Sequence, residues 1–112
     1  IRHGDHPTTL AVPDGGVDSA IDNLVAQLRG RHPHDLVGVV TAAQRASNLD
    51  DGRFGSDTTV VAAPDARGLE FDTVIIVGPA EIEHASRAGL RDLYVAQTRA
   101  TTRLITLTIA PA

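Results

Sequence analysis

The chain has 112 residues, 42% of them hydrophobic, which suits one compact domain with one core and excludes wholesale disorder. Aromatics make up only 3% and cysteine is absent, so the core must come from Val, Ile, Leu and Ala, and disulfides or thiolate metal sites are excluded. A formal net charge of −4 argues against a domain that grips nucleic acid by itself, because phosphate neutralisation supplies most of such affinity.

Thr8 to Val12 reads as a short strand, ended by the turn-forming Pro13-Asp14-Gly15-Gly16. A helix follows, with Asp18 or Ser19 as its N-cap. Ile21, Leu24, Val25 and Leu28 then recur at i, i+3, i+4, i+7, and Gly30 is the expected stop. Leu36-Val37-Gly38-Val39-Val40 reads as a strand buried on both faces. Ala42 to Leu49 has the length of a short helix, and Asp50-Asp51-Gly52 marks a loop, most simply a solvated turn. Thr58 to Ala63 is the next strand and Thr73 to Val77 the one after. The stretch Pro64 to Asp72 between them is too polar and too punctuated to be strand. A helix from about Arg87 to Ala100 is expected to bury Leu90, Leu93, Tyr94 and Ala96 or Gln97. Arg103 to Ile109 closes the chain as a strand, with Leu104, Ile105, Leu107 and Ile109 available to pack.

Continuous Val/Ile strands separated by helices predict an α/β domain, a layered sandwich around a largely parallel sheet. In such sheets ligands bind beyond the carboxyl ends of the strands, which directs attention to the loops after Ala63 and Val77. No run approaches the ~18 apolar residues that cross a bilayer and no signal peptide opens the chain. With no cysteine, this predicts a cytoplasmic protein without a membrane partner. Methionine is absent, so Ile1 is not a natural start and the chain is expected to be a fragment or a processed product. All ten basic residues are arginine, which fits a GC-rich coding sequence better than it fits any function.

Two stretches carry chemistry: Ala66-Arg67-Gly68-Leu69-Glu70-Phe71-Asp72 and Leu93-Tyr94-Val95-Ala96-Gln97-Thr98-Arg99-Ala100. Their order, their spacing and the strand between them resemble the fifth and sixth motifs of the UvrD/Rep-type superfamily 1 helicases. Those motifs usually read Lys-Gly-Leu-Glu-Phe-Asp and Tyr-Val-Ala-x-Thr-Arg-Ala. The resemblance covers Thr58 to Leu107; before Leu49 it is only a matching succession of strands and helices.

The resemblance implies that residues 1–112 are the second RecA-like lobe, with a P-loop NTPase-type fold, of an ATP-dependent DNA helicase or translocase. Phosphoryl transfer is mainly a matter of positioning and charge stabilisation, and Arg99 would act as an arginine finger on the γ-phosphate of ATP·Mg. Glu70 would accept a hydrogen bond from the ribose; read alone, it is a solvated loop carboxylate. Gly68 would let the backbone approach the nucleotide or adopt a positive φ. Arg67 stands where lysine is usual and keeps the charge with a different geometry. Thr98 either orients Arg99 or caps its own helix turn. Tyr94 reads as packing, and Gln97 departs from the usual apolar residue without a physical account.

Several parts are missing from the sequence. It has no Gly-x-x-x-x-Gly-Lys-Ser/Thr loop to cradle phosphates and no Asp-Glu pair at a strand end to hold Mg²⁺. Such a domain would be half a site, completed by a first RecA-like lobe. No histidine spacing supports a metal site; His32 and His34 merely flank Pro33. Relatives that move along DNA usually carry a histidine before the fifth motif, where Pro64 and Asp65 stand here. With Pro79-Ala80-Glu81 and Gly89-Leu90-Arg91, this is closer to the HelD-type ATPases, which implies RNA polymerase as an alternative partner. A degenerate, non-catalytic nucleotide- or protein-binding lobe is a further alternative.

Overall fold

A computed structural model describes residues 7–49, 54–55 and 57–110 of the chain. Five strands, β1 (Thr8–Pro13), β2 (Val37–Thr41), β3 (Thr58–Ala62), β4 (Phe71–Val77) and β5 (Ala100–Ala110), form one sheet in the order β1-β5-β4-β2-β3. Every pairing is parallel. The helices are α1 (Val17–Arg31), α2 (Ala43–Asn48), α3 (Pro79–His84) and α4 (Gly89–Gln97). The α/β class and the parallel sheet are therefore as the sequence predicts. The loop expected at Asp50-Asp51-Gly52 lies outside the described residues.

The central strands dictate the layering. All five residues of β2 are buried, and Val74, Ile75, Ile76 and Val77 of β4 are fully enclosed. A strand buried on both faces needs a cover on each side. On one face, Ile21, Val25 and Leu28 of α1 pack against Val37, Val39, Ile75, Val77 and Leu107. On the other, Leu93 and Ala96 of α4 and Ile82 of α3 pack with Ala63 and Ala66 against Val40, Val74, Ile76 and Leu104. Each fully buried Val or Ile contributes about 1.5–3 kcal/mol relative to exposure, so these two small cores hold the sheet without help from many aromatics.

The chain order explains how the layers are filled. From β1 to β2 to β3 the chain moves one way across the sheet, then reverses to β4 and β5. Right-handed crossovers put helices of opposite travel on opposite faces. The crossover from β3 to β4 is a 3-10 turn (Ala63–Asp65) and an irregular segment rather than a helix. Its buried Ala63 and Ala66 join the α4-side core.

Several boundaries differ from the sequence reading. α1 starts at Val17, not at an Asp18 or Ser19 cap: its N-cap is Gly16, the last residue of a 3-10 turn, which makes no side-chain cap. Burial of Val17 fixes this start. The helix also runs one residue past Gly30. β4 begins at Phe71 rather than Thr73, because the Phe71 N–H donates to the Arg99 carbonyl at 2.9 Å and the Leu36 N–H donates to the Asp72 carboxylate at 2.7 Å. The polar Asp72 within this start is accommodated by an irregularity in the register between Phe71 and Thr73. β5 likewise starts at Ala100. α3 is an element the sequence reading does not include; Pro79 stands in its first turn, a favoured place for proline, after Gly78 in the left-handed region (φ +67°).

α4 is shorter than expected and turns a different face inward. Leu93 and Ala96 are buried, but Leu90 is 64% and Tyr94 67% exposed, so the expectation that these two pack in the core is overturned. Gly89 sets this orientation, because a Cβ there would strike the Glu83 and Ile82 carbonyls at the end of α3. Gly89→Ala should therefore cost about 1–3 kcal/mol, the usual range for forced overpacking. Gly30→Ala should instead stabilise by about 0.5–1 kcal/mol, since Gly30 sits in helix α1 with nothing within 4 Å of a Cβ. Urea unfolding of both variants checks this pair, and equal midpoints would contradict it.

Candidate functional site

The two motif segments meet at the amino edge of the sheet. Residues 63–70 leave the carboxyl end of β3 and must return the length of a strand to enter β4, which carries Arg67, Gly68 and Glu70 to that edge. α4 ends beside them, with Thr98 as C-cap and Arg99 directly before β5. The Phe71–Arg99 backbone bond locks the two starts together.

Arg99 is only partly exposed, and its guanidinium is held by neutral oxygens. Nε donates to the Val95 carbonyl at 3.1 Å, Nη1 to the Leu69 carbonyl at 3.4 Å, and Nη2 to the Thr98 hydroxyl at 3.1 Å. Thr98 in turn donates to the Val95 carbonyl at 2.7 Å. Both readings of Thr98 therefore hold in geometry: it satisfies its own helix end and it fixes one guanidinium nitrogen. A cation at a helix C-terminus is also favoured by the helix dipole. Among the described residues no carboxylate pairs with Arg99 or Arg67, and no cation pairs with Glu70.

Glu70, Arg67 and Gly68 are exposed. Gly68 has φ +85° and nothing within 4 Å of a Cβ, so the requirement for glycine here is the backbone conformation and not a close neighbour. That turn aims the backbone from the crossover into β4. The structure thus brings Arg67, Gly68, Glu70, Thr98 and Arg99 to one edge, with Arg67 and Glu70 exposed and Arg99 half-buried.

The opposite, carboxyl edge holds an open groove of about 950 Å³. It lies where the connections leaving β2 and β4 depart to opposite faces, the place that parallel sheets offer to ligands. Arg45 of α2 spans it, forming a two-pronged pair with Glu81 of α3 at 2.8 and 2.7 Å and reaching Asp14 at 3.0 Å. The hydrogen bond from Arg45, opposed by partial burial, pulls the Glu81 carboxyl below its usual range, and the same bond raises the Arg45 guanidinium further above its own. Residues of α3, which follows Val77, line this groove, but the motif residues do not. The strand-end rule and the motifs therefore point to opposite ends of the sheet, and sequence reasoning missed Arg45, whose Ala-Gln-Arg-Ala context carries no motif.

Residues 63–107 match the family model of the UvrD-like helicase C-terminal domain. The UvrD-like stretch contains both motif segments, the β4 strand and most of β5, so the resemblance read from the residues stands. The fold is similar over 95% of the chain to the C-terminal domain of a possible DNA helicase from Lactobacillus plantarum WCFS1, with a TM-score of 0.71. The two are 21% identical and the match covers 75% of that chain, a likeness of fold alone. Among curated proteins no relative matches the sequence. No helix of the described residues is long and apolar enough to cross a membrane.

The Glu81 geometry gives a pH test. A carboxyl depressed in the folded state contributes stability that is present above its unfolded pKa of about 4.3 and is lost as pH falls through the lower folded value. Because Glu81 is 41% exposed, the contribution is below about 1 kcal/mol. Urea midpoints of Glu81→Gln should lie below wild type at pH 7 and converge with it near pH 3. A gap of the same size at both values would contradict the pairing.

Proposed function

We propose that this domain is the second motor lobe of a superfamily 1 ATP-dependent DNA helicase or translocase, and that the amino edge of β4 and β5 is its half of the ATPase site. The observation that carries this reading is the meeting of Glu70 and Arg99 at the starts of β4 and β5, joined through one backbone bond, neither of them in an ion pair among the described residues. The family match over residues 63–107 supports it.

ATP·Mg would be held chiefly by a first RecA-like lobe. Among the described residues no cluster of three or more His, Cys, Asp or Glu side chains could hold a metal ion. The residues present do fit the remaining half of a nucleotide site. Glu70 is an exposed acceptor suited to a ribose hydroxyl. The acceptors that hold Arg99 are carbonyls and a hydroxyl rather than a carboxylate, so it can turn toward the γ-phosphate and stabilise charge developing in the transition state. Thr98 holds one of its nitrogens meanwhile. Arg67 adds a second cation to the same edge. Since the finger would sit on one lobe and the phosphates on the other, hydrolysis would require the lobes to close.

In the full-length protein, Arg99→Ala should lower kcat for ATP by roughly 10³-fold or more with nucleotide binding nearly unchanged, because a finger acts chiefly on the transition state. Glu70→Ala should instead weaken nucleotide affinity about tenfold, as expected for a charge-assisted hydrogen bond made in ground and transition states alike. Steady-state hydrolysis and equilibrium nucleotide binding separate the two. A kcat within a few-fold of wild type for Arg99→Ala would end the motor-lobe reading.

DNA would be gripped mainly by other parts of such a protein. Pro64 and Asp65 are exposed at the carboxyl end of β3, where a carboxylate repels a phosphate backbone, and the net charge of −4 adds a salt-screened penalty. Labelled single-stranded oligonucleotide should show negligible binding to this domain at physiological salt. A submicromolar Kd would show that the domain grips DNA itself.

A further inference from the structure

The connection from α1 to β2 lies across the starts of the neighbouring strands. Asp35 in this connection is held from two sides: its carboxylate pairs with Arg103 of β5 at 3.1 Å, and its carbonyl accepts from Arg29 of α1 at 2.7 Å. The second terminal nitrogen of Arg29 donates to the Thr58 hydroxyl at the start of β3 at 2.7 Å, and Arg103 also reaches the Thr73 hydroxyl of β4 at 3.4 Å. Leu36, the next residue, is bonded to β4 through both of its backbone groups. Its N–H donates to the Asp72 carboxylate at 2.7 Å, and its carbonyl accepts from the Thr73 N–H at 3.2 Å. The Leu36 side chain is 49% exposed, so these bonds and not burial hold the residue in place.

The Asp72 end of this brace falls where the sheet fixes β4 least. Phe71 pairs with Ala100 and Thr73 with Arg103, so residues 71–73 face residues 100–103 and the ladder slips between them. Phe71 and Val74 accordingly pack into the same core, whereas a regular strand would turn them to opposite faces. At such an irregularity the ladder alone does not set the strand start. The Phe71 N–H donates to the Arg99 carbonyl, and the Thr101 hydroxyl donates to the Phe71 carbonyl at 3.3 Å. Those bonds join β4 to β5. Against β2, the start of β4 rests on the Phe71 ring over Gly38 and on the Asp72–Leu36 bond. The ring contact is apolar and without direction, so the directional bond is what fixes this start in place.

We infer that Asp72 is a positioning residue of the proposed nucleotide half-site, bracing Glu70 and Arg99 against the α1–β2 connection that Asp35 and Arg103 hold. The inference rests on the motor-lobe reading and adds to it a residue that acts, through the backbone, on the two that would meet the nucleotide. In an active site a misplacement of about 1 Å can cost on the order of 10²-fold. Stability should depend on Asp72 far less, because the bond is exposed and water can satisfy the Leu36 N–H once the carboxylate is gone. An amide oxygen accepts the same bond, so asparagine should hold the position where alanine cannot.

The test measures binding of a fluorescent ATP analogue, steady-state hydrolysis and melting temperature in the full-length protein. Asp72→Ala should weaken nucleotide affinity about fivefold and lower kcat about tenfold, with Asp72→Asn within about twofold of wild type in both. Asp72→Val, which favours strand, replaces Asp72→Ala where alanine does not fold. In a Glu70→Ala background Asp72→Ala should weaken affinity no further, since the contact it positions is already gone. A loss by the same factor in both backgrounds would show a general structural effect and overturn the inference. So would Asp72→Ala behaving like wild type, or Asp72→Asn as impaired as Asp72→Ala. In each of these cases, impairment of Glu70→Ala and Arg99→Ala leaves the motor lobe standing. If Glu70→Ala and Arg99→Ala are themselves like wild type, the motor-lobe reading fails and this inference fails with it.

Discussion

The hydrogen bond from the Phe71 amide to the Arg99 carbonyl joins the first residue of β4 to the residue before β5. Most of what the domain can do at its amino edge depends on it. Phe71 follows Glu70 directly, and Arg99 precedes Ala100, so one bond between two strand starts sets the spacing of the two charged side chains. Small buried residues, Ala63 and Ala66, let the crossover segment before β4 lie close to the sheet beneath α4. Gly68 then supplies the positive φ that turns it into the strand. A larger residue at Ala66 would lift the segment, and with it Glu70, away from Arg99.

The scarcity of aromatics shapes the same region. Phe71 lies over Gly38 of β2, so closely that a Cβ there would meet its ring. The glycine in the middle of a buried strand, otherwise a weak point, is the space that the ring occupies. The strand start that holds Arg99 is thus wedged against β2 by one aromatic side chain. Elsewhere the cores are filled by Val, Ile and Leu packed at short range, and Gly89 brings α3 and α4 nearly into backbone contact. Close packing of small residues is how a chain with 3% aromatics keeps two covered faces on five strands.

Those features differ in how plainly the sequence announces them. Val37 to Val40 and Val74 to Val77 are continuous apolar runs bounded by turns, so both central strands and the α/β class could be read directly. Ile21, Val25 and Leu28 announced α1 by their spacing. Its start could not be read, because the fixing event is burial of Val17 after a 3-10 turn, and Asp18 and Ser19 merely look like caps. Phe71-Asp72 reads as loop because Asp72 is polar, yet its carboxylate takes the Leu36 N–H, a partner 36 residues away in sequence. Tyr94 looks like core by composition. Only the tertiary approach of Gly89 to α3 rotates α4 so that Leu93 and Ala96 face inward and Tyr94 outward. The motif residues were legible as a group because their order and spacing are local. Their meeting at the amino edge depends on topology, which periodicity does not report.

The two ends of the sheet show why a charged residue cannot be judged by its charge alone. Arg45 and Arg99 each make several hydrogen bonds, and each sits near the end of a short helix. Arg45 bonds to two carboxylates, so the groove it spans has no cation left for an incoming anion, and the cluster with Asp14 and Glu81 is net negative. Arg99 bonds to two carbonyls and a hydroxyl, which hold the guanidinium in place without cancelling it. Neutral acceptors give geometry at little electrostatic cost, because a stronger charge can take over the guanidinium once it arrives. A carboxylate in the same place would bind Arg99 too well to release it. The carboxyl-edge groove is an open hollow of about 950 Å³, yet its chemistry serves to tie the segments after β1, β2 and β4 together. The amino edge instead carries an arginine and a glutamate that form no ion pair among the described residues, a combination that suits a polar ligand with both phosphate and hydroxyl groups.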